Sequence, residues 1–165
     1  MNGMLKLDKT DIDILILLQK NGRLSNVALA DAVALSPSPC LQRVKRMEKA
    51  GLIESYEATI NLKMIANALT VFTEVTLSGH ERNDFVRFEK AMATVPELME
   101  CHLITGGYDY LLRFVARNIE HYQEIILSVI DANVGIGKYF SYIVINSPVI
   151  KKTAPLSLLI PPDVD

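Results

Sequence analysis

The chain has 165 residues, half of them apolar, and a formal net charge of −2 at pH 7. That length allows one ordinary domain, or two small ones, with a real hydrophobic core. The sequence contains neither a secretory signal pattern nor an apolar run near the roughly 18 residues that a membrane span needs, so we expect a cytoplasmic protein without membrane contact. Its two cysteines, Cys40 and Cys101, form no CxxC pair and have no histidine at ligand spacing. We therefore expect no metal site and no cofactor.

Charge is distributed unevenly along the chain. Residues 1–63 hold nine Lys and Arg against seven Asp and Glu, whereas residues 64–165 hold eight against twelve. Only the first part would be attracted to a polyanion such as DNA.

The sequence predicts two helices before residue 36. Thr10 and Asp13 have the spacing of a capping box, and the apolar run IDILILLQKNG after Thr10 ends at Asn21-Gly22. We expect Ile12, Leu15 and Leu18, with Ile16 beside them, to face inward. Ser25 is the expected N-cap of a second helix, NVALADAVAL. Its predicted apolar surface comprises Val27, Leu29, Ala30 and Val33.

A third helix is predicted within Ser36–Ile53, SPSPCLQRVKRMEKAGLI. Ser36 is the expected N-cap, Pro37 the first helical residue, and Gly51 a left-handed stop. At about 100° per residue, one narrow stripe would pack inward. This stripe comprises Cys40, Val44 and Met47.

The opposite face of this helix carries Ser38, Gln42, Lys45 and Arg46. An amide can read an adenine edge and cations can contact phosphates, so the face suits a DNA major groove. Three short helices of this kind are typical of a helix-turn-helix. The alternative from the residues alone is an ordinary basic surface exposed to solvent.

We predict that this DNA-binding domain covers residues 1–57. The next segment, IESYEATIN, has the β-branched and alternating pattern of an extended strand, so residues 58–68 are the expected linker strand or hinge. A second domain would then cover residues 69–150, and a proline-containing tail residues 151–165.

The second domain has the predicted order β-α-β-β-α-β. The strands are expected at 68–77, 98–105, 108–117 and 138–146, and the helices at 81–94 and after Asn118. The predicted inward residues are Phe85, Phe88, Met92 and Val95 on the first helix, Ile119, Tyr122, Ile126 and Val129 on the second, and the aromatic residues of the last strand. This order predicts an α+β fold, the ferredoxin-like split βαβ motif, with both helices on one face of the sheet.

The first strand would place Val71, Thr73 and Val75 on one face and Phe72, Glu74 and Thr76 on the other. A sheet with one uncovered face usually finds a partner sheet, so we expect at least a homodimer. Two-fold symmetry would suit the paired DNA-binding domains to a palindromic site.

Together these features resemble the Lrp/AsnC family of feast/famine regulators. The resemblance is carried by ALADAVALSPSPCLQRVKRMEKAGLI and by LITGGYDYLLRFVARN, and it spans roughly residues 7–150. It implies a sequence-specific transcriptional regulator with a winged or simple helix-turn-helix, whose assembly or DNA affinity responds to a small amino acid. It also implies dimers that assemble into larger rings such as octamers.

The resemblance assigns roles to residues of both domains. The implied contacts to double-stranded DNA are Ser36, Ser38, Gln42, Arg43, Lys45 and Arg46. The implied effector site comprises Thr105, Gly106, Gly107, Asp109 and Tyr110. Two glycines allow backbone N–H groups to approach a ligand carboxylate, and Asp109 offers a counter-charge for an α-ammonium group. From the residues alone, Arg43 could equally brace the fold, and GGYDYL could be a plain hairpin turn.

Two other functions are compatible with this architecture. One is an enzyme resembling the tetrapyrrole decarboxylases, although its polycarboxylate substrate calls for clustered Arg and His, and His80, His102 and His121 are scattered. The other is an architectural DNA-binding protein without an effector. The tail could wrap a neighbouring subunit through Leu156, Leu158 and Leu159, or lie loose.

Overall fold

The computed structural model describes residues 5–160, except for the side chain of Lys63. The chain divides into two compact units. The head unit contains the residues up to Thr59 and the tail from Val149 onward, and the sheet unit is Ile60–Pro148. No helix among the described residues is long and apolar enough to cross a membrane.

Three helices form the head unit: α1 (Lys9–Lys20), α2 (Asn26–Ala32) and α3 (Pro37–Lys49). The predicted helix-turn-helix is therefore confirmed. Ser25 caps α2 by accepting the Ala28 N–H, and α3 begins at Pro37 as predicted. Gly51 has a φ of +73°, the left-handed conformation expected after the helix end.

The capping box of α1 lies two residues earlier than predicted, at Asp8 and Asp11. Asp8, rather than Thr10, is the N-cap, and its side chain accepts the Asp11 N–H at 2.9 Å. The Asp11 carboxylate accepts the Asp8 N–H at 3.1 Å in return. Asp8 has the extended backbone of an N-cap, whereas Thr10 is already the second residue of the helix, so its side chain does not stand at the capping position.

The core of the head unit is small and contains no aromatic side chain among the described residues. Its buried members are Ile14, Leu29, Ala30, Cys40, Val44 and Met47. The inward stripe of α3 is confirmed, but the most buried apolar residue of α1 is Ile14, with Leu15 and Leu18 only partly buried. Val27 is 57% exposed, because it lies about 200° around the short helix α2 from Leu29.

The predicted linker strand is not formed. Residues 54–61 have no regular secondary structure, and a 3₁₀ turn follows at Leu62–Met64. A strand requires a neighbouring strand for its backbone hydrogen bonds. No described segment of the chain pairs with this one.

The sheet unit has the predicted order of elements. They are β1 (Leu69–Leu77), α4 (Arg82–Met92), β2 (Leu98–Leu103), β3 (Tyr110–Ala116), α5 (Ile119–Asp131) and β4 (Ile136–Ile143). The strands lie in the order β2-β3-β1-β4, and every neighbouring pair is antiparallel. This confirms the ferredoxin-like arrangement.

One face of the sheet packs against α4 and α5. Val71, Thr73 and Val75 of β1 are fully buried on that face. Phe88 and Tyr122 supply aromatic side chains from the two helices. The other face carries Phe72 and the remaining outward residues, as the alternation in β1 predicts.

Two predictions about the core of the sheet unit are wrong. Ile119 is half exposed, because it is the first residue of α5 and precedes the turn that packs on the sheet. Tyr139, Phe140 and Tyr142 are also exposed. Phe140 and Tyr142 lie on the face of the sheet that no helix covers, and Tyr139 lies on the helix side of β4, an edge strand with a neighbour on one side only.

The tail folds onto the head unit of its own chain. The Ala154 N–H donates to Gln19 Oε1 of α1 at 2.7 Å. A short helix, α6 (Leu156–Leu159), follows, and Leu156 lines an apolar groove of about 410 Å³ with Leu15 and Leu18. Leu158 and Leu159 remain exposed. The tail is therefore not loose along this stretch, and within the single chain only Leu156 of the three leucines is half-buried.

Candidate nucleic-acid interface and effector turn

Helix α3 presents the predicted polar face to solvent. Ser38, Gln42 and Lys45 are exposed, opposite the buried stripe of Cys40 and Val44. Among the described residues, Lys45 makes no ion pair and Gln42 no side-chain hydrogen bond. Their polar groups are therefore available to a ligand outside the chain.

The first turn of α3 is fixed by its neighbour. Asn26 of α2 donates from Nδ2 to the Pro37 carbonyl oxygen at 2.7 Å. Ser36 is the N-cap, but its hydroxyl makes no capping hydrogen bond. Prolines at positions 37 and 39 carry no backbone N–H and the Cys40 N–H donates to the Ser36 carbonyl oxygen at 3.3 Å, so the first turn offers the Ser38 N–H and the hydroxyls of Ser36 and Ser38 as donors.

The two arginines of α3 are held by carboxylates of the head unit. Arg43 Nη1 donates to Asp8 Oδ2 at 2.6 Å and to Asp11 Oδ1 at 2.8 Å. Arg46 Nη2 donates to the other oxygen of Asp11 at 2.5 Å. Arg43 thus braces the fold, which was one of the two roles open to it. Arg46 is 45% exposed, but its guanidinium points back to α1 and not straight outward as the helical-face argument predicts.

These contacts change the acidity of the groups involved. The hydrogen bond to Asp11, followed by that to Asp8, raises the pKa of Arg43. Partial burial acts to raise the pKa of Asp8, but the Asp11 N–H and Arg43 outweigh it, so that this pKa lies below its ordinary value. The carboxylate of Asp8 therefore stays ionised to lower pH than in a free peptide.

The candidate effector turn is open to solvent. Thr105, Gly106 and Gly107 are exposed, and no heavy atom outside their own chain neighbours lies within 4 Å of where a Cβ on either glycine would be. Gly106 has a φ of +142°, a conformation that L side chains rarely adopt. The backbone of this turn can thus be approached closely by a ligand.

The carboxylate of Asp109 is already engaged within the chain. Its Oδ2 accepts the Leu77 N–H at 2.7 Å, and both oxygens lie 3.2 Å from His80 Nε2. The backbone of Asp109 also bonds at both ends, to Val75 and Ile104. Contrary to the sequence prediction, this side chain closes the turn and does not project from it as a free counter-charge.

Tyr110 likewise departs from its predicted role. Its side chain lies on the inner face of β3, where it is almost fully buried with its ring centroid 4.6 Å from that of Phe88. Its hydroxyl donates to Glu89 at 2.8 Å, and burial with this bond raises the Tyr110 pKa. The alternation of β3 carries the ring inward, so in the single chain it is not accessible to a ligand at the turn.

Sequence reasoning missed Asp8 and Asp11 as residues that shape the interface. The available signal was an acidic residue three positions from another at the start of α1. That spacing indicated a cap but not an ion pair with a helix more than 30 residues later. Within the described range, no group of three or more His, Cys, Asp or Glu could hold a metal ion.

A helix-turn-helix with an exposed recognition face, followed by a ferredoxin-like unit with an open glycine turn, defines a class of two-domain DNA-binding regulator. Family models agree with this class. Residues 7–54 match a winged helix-turn-helix DNA-binding model, and residues 70–154 match the Lrp/AsnC ligand binding domain. The chain belongs to the Lrp/AsnC family of transcriptional regulators.

Individual relatives give the same result. The transcriptional regulatory protein DoeX of Halomonas elongata is 42% identical over 140 residues, which are 85% of this chain and 89% of DoeX. The leucine-responsive regulatory protein of Haemophilus influenzae is 38% identical over 84% of this chain and 83% of its own length. A transcriptional regulator of Neisseria meningitidis, solved as a complex with L-Met, superposes with a TM-score of 0.86 at 34% identity, covering 93% of this chain and 99% of the other.

Proposed function

We propose that this regulator binds specific DNA sites through α3 and that a small amino acid alters its assembly or its DNA affinity. The observation that carries the DNA-binding part is the exposed pair of Gln42 and Lys45, on a helix whose opposite face is buried. Family membership supports the same assignment.

Each candidate contact has a distinct physical role in this proposal. Gln42 can form paired hydrogen bonds to an adenine edge, which would give sequence preference. Lys45, with Ser36 and Ser38 near the helix start, can contact phosphates, which positions the protein without selecting a sequence. Arg43 and Arg46 stand beside this surface and are oriented by Asp11.

The proposed effector site is built on the backbone of the glycine turn. Thr105 offers a hydroxyl, and Gly106 and Gly107 offer N–H groups without side chains in the way. These donors suit the α-carboxylate of an amino acid. Because Asp109 is engaged by Leu77 and His80, we propose that it shapes the turn and that another group meets the α-ammonium.

We also propose that the open face of the sheet pairs with a second copy, as the basis of a homodimer and of larger assemblies such as octamers. Phe72, Phe140 and Tyr142 lie together on that face, because β1 and β4 pair Phe72 with Tyr142 and Glu74 with Phe140. Phe140 and Tyr142 are exposed in the single chain. Contact with an equivalent sheet would remove this apolar surface from water.

Binding of α3 to DNA can be tested with two substitutions. Duplexes selected by the wild-type protein from a randomised pool would serve as the specific probe. Gln42→Ala should cost about 1–3 kcal/mol on that probe and less on random duplex. Lys45→Ala should weaken binding to both and reduce the slope of log K against log salt by about one.

Lys90→Ala, at an exposed position of α4 in the sheet unit, is the charge-matched control and should leave both affinities unchanged. If the wild-type protein and the three variants bound each duplex with equal affinity, the assignment of α3 as the recognition helix would be contradicted. Size-exclusion chromatography of each variant would verify that oligomer size is retained.

The effector site can be tested by thermal-shift screening against the twenty amino acids. An effector at one hundred times its dissociation constant stabilises the native state by about 2.7 kcal/mol. Gly107→Val should abolish that shift, because the new side chain would cover the exposed N–H groups while the space around it allows folding. An unchanged shift in this variant would place the effector elsewhere.

We propose a regulatory and not a catalytic role, because the relatives are transcriptional regulators. Incubation with a tetrapyrrole polycarboxylate and measurement of released CO₂ addresses the enzyme alternative. Turnover would contradict this part of the proposal.

A further inference from the structure

A buried carboxylate on α1, that of Asp11, forms ion pairs with two arginines of α3. The Asp11 side chain is 1% exposed, although the residue is acidic and belongs to the first turn of a surface helix. Each of its oxygens accepts from a different arginine of α3, Oδ1 from Arg43 and Oδ2 from Arg46. Asp8 adds a second carboxylate to Arg43. The four side chains form one network, which we call the Asp8–Asp11–Arg43–Arg46 network.

This network has no net charge, since two carboxylates face two guanidinium groups. Helix α3 carries four cationic side chains in all, Arg43, Lys45, Arg46 and Lys49. Lys45 and Lys49 make no ion pair among the described residues. The positive charge that α3 offers to DNA is therefore about half of what its sequence suggests.

We propose that Asp11 is a positioning residue that limits non-specific DNA binding by holding Arg43 and Arg46 within the head unit. This inference rests on the proposed DNA-binding function of α3. Phosphate contacts supply nearly all of the affinity for non-specific DNA, whereas base contacts supply sequence preference. By restraining two arginines, Asp11 would weaken attraction to any duplex more than attraction to the specific site read by Gln42.

The geometry supports restraint of both guanidinium groups by the same residue. Asp11 accepts from both arginines, so an arginine that turned to a phosphate would deprive one oxygen of this buried carboxylate of its guanidinium partner, which is costly in a desolvated site. Arg43 is bound by two carboxylates, so it is held more firmly than Arg46. Arg46 retains N–H groups on its exposed side, so it can face the groove in one fixed orientation.

Asp11→Asn provides the main test, measured as affinity for random duplex and for the selected duplex over a series of salt concentrations. We expect about tenfold tighter binding to random duplex and a salt slope steeper by between one and two, because up to two further phosphates would be contacted. Affinity for the selected duplex should rise much less, so the specificity ratio should fall.

Asp13→Asn is the matched control, because it removes the same charge from the same helix and Asp13 makes no ion pair with α3 among the described residues. It should leave the salt slope unchanged. If Asp13→Asn and Asp11→Asn alter slope and ratio equally, the effect is one of overall charge and the proposal fails. It also fails if Asp11→Asn folds, binds the selected duplex, and has the wild-type ratio.

Asp8→Asn covers the case in which Asp11→Asn does not fold. Asn caps a helix as well as Asp does, so this variant should retain α1 while it frees Arg43 from one carboxylate. We expect a smaller change in the same direction, with a slope steeper by less than one. A wild-type slope and ratio in Asp8→Asn would overturn the proposal for Arg43.

A double substitution separates positioning from structural support. In an Arg43→Gln, Arg46→Gln background, Asp11→Asn should no longer steepen the salt slope, since there are no arginines to release. A salt slope that still steepens in this background would show that Asp11 does not act through Arg43 and Arg46. If the wild-type protein bound neither duplex, the proposed function itself would fail, and that outcome differs from every one above.

Discussion

The head unit and the sheet unit are stabilised in different ways. The head unit has a small aliphatic core. Its helices α1 and α2 are capped by side chains that lie only a few residues along the chain from the N–H groups they accept. The sheet unit has a core rich in aromatic side chains and strands paired across long stretches of sequence. All five phenylalanines and five of the six tyrosines lie between residues 60 and 148. The helices of the head unit can therefore be predicted from short stretches of sequence. For the sheet unit, the sequence shows only the alternating pattern of the strands, because their pairing joins distant segments.

The difference extends to function. In the head unit, the candidate DNA contacts Gln42 and Lys45 both lie on one helix, α3. In the sheet unit, the glycine turn and the open sheet face are exposed surfaces with nothing to close them in the single chain. The recognition face of α3 therefore needs only its ligand, whereas the open sheet face is the surface that we propose pairs with a second copy of the chain.

The largest effect should come from Phe88→Ala, which tests whether the two cores are independent. Phe88 is fully buried against Tyr110, so its truncation should cost about 3–5 kcal/mol in the sheet unit. Urea denaturation followed by near-ultraviolet circular dichroism reports that unit, because five of the six tyrosines belong to it. Val86→Ala, on the exposed side of α4, should be nearly neutral. Loss of the entire far-ultraviolet helix signal in that same transition would contradict independence, because α1, α2 and α3 belong to the head unit.

A smaller loss is expected when the buried hydroxyl chain of the sheet unit is broken. The Tyr122 hydroxyl lies 2.7 Å from Thr73 Oγ1 and 2.6 Å from Ser141 Oγ, and so links α5 to β1 and β4. Tyr122→Phe leaves the fully buried Thr73 hydroxyl without this partner, at a cost of about 1–3 kcal/mol. Tyr56→Phe, in the head unit, removes an exposed hydroxyl that donates to Glu48 at 2.9 Å, and its free energy of unfolding should match wild type within about 0.5 kcal/mol.

Gly51→Ala tests the head unit, where a local backbone signal decides the end of α3. Its φ of +73° is costly for any residue with a Cβ, but no atom stands within 4 Å of the added methyl group. The cost should therefore be strain alone, about 1–2 kcal/mol by thermal unfolding. Gly107→Ala, which adds a Cβ in open space without a positive φ, should show no such loss. Equal behaviour of the two variants would mean that the left-handed conformation of Gly51 contributes nothing.

The smallest effect should come from the exposed ion pair of the sheet face. Arg113 donates to Glu100 at 2.7 Å, and this bond is the main reason that the Glu100 pKa lies below its ordinary value. A lowered pKa in the folded state means that the pair stabilises above the ordinary pKa of the carboxyl and that this contribution is lost as pH falls through the folded value. Because the pair is partly exposed, Glu100→Gln should cost at most about 0.5 kcal/mol at pH 7 and nothing at pH 2.

Local signals in the sequence determined the elements of this protein and their order. Ser25, Pro37, Gly51 and Asn118 mark helix ends through backbone preferences that act within a few residues, so their positions follow from the sequence. The alternation in β1 likewise determined which of its faces is buried, because side chains of a strand point alternately to its two faces.

Only the tertiary structure decided where side chains from distant segments meet. It brought Asp11 within hydrogen-bond distance of Arg43 and Arg46, closed the turn with Asp109 and left the predicted linker strand unpaired. Each of these outcomes depends on a partner far along the chain, or on the lack of one, and periodicity carries no information about such partners. The recognition face could therefore be predicted from the sequence, whereas the charge it presents to DNA could not.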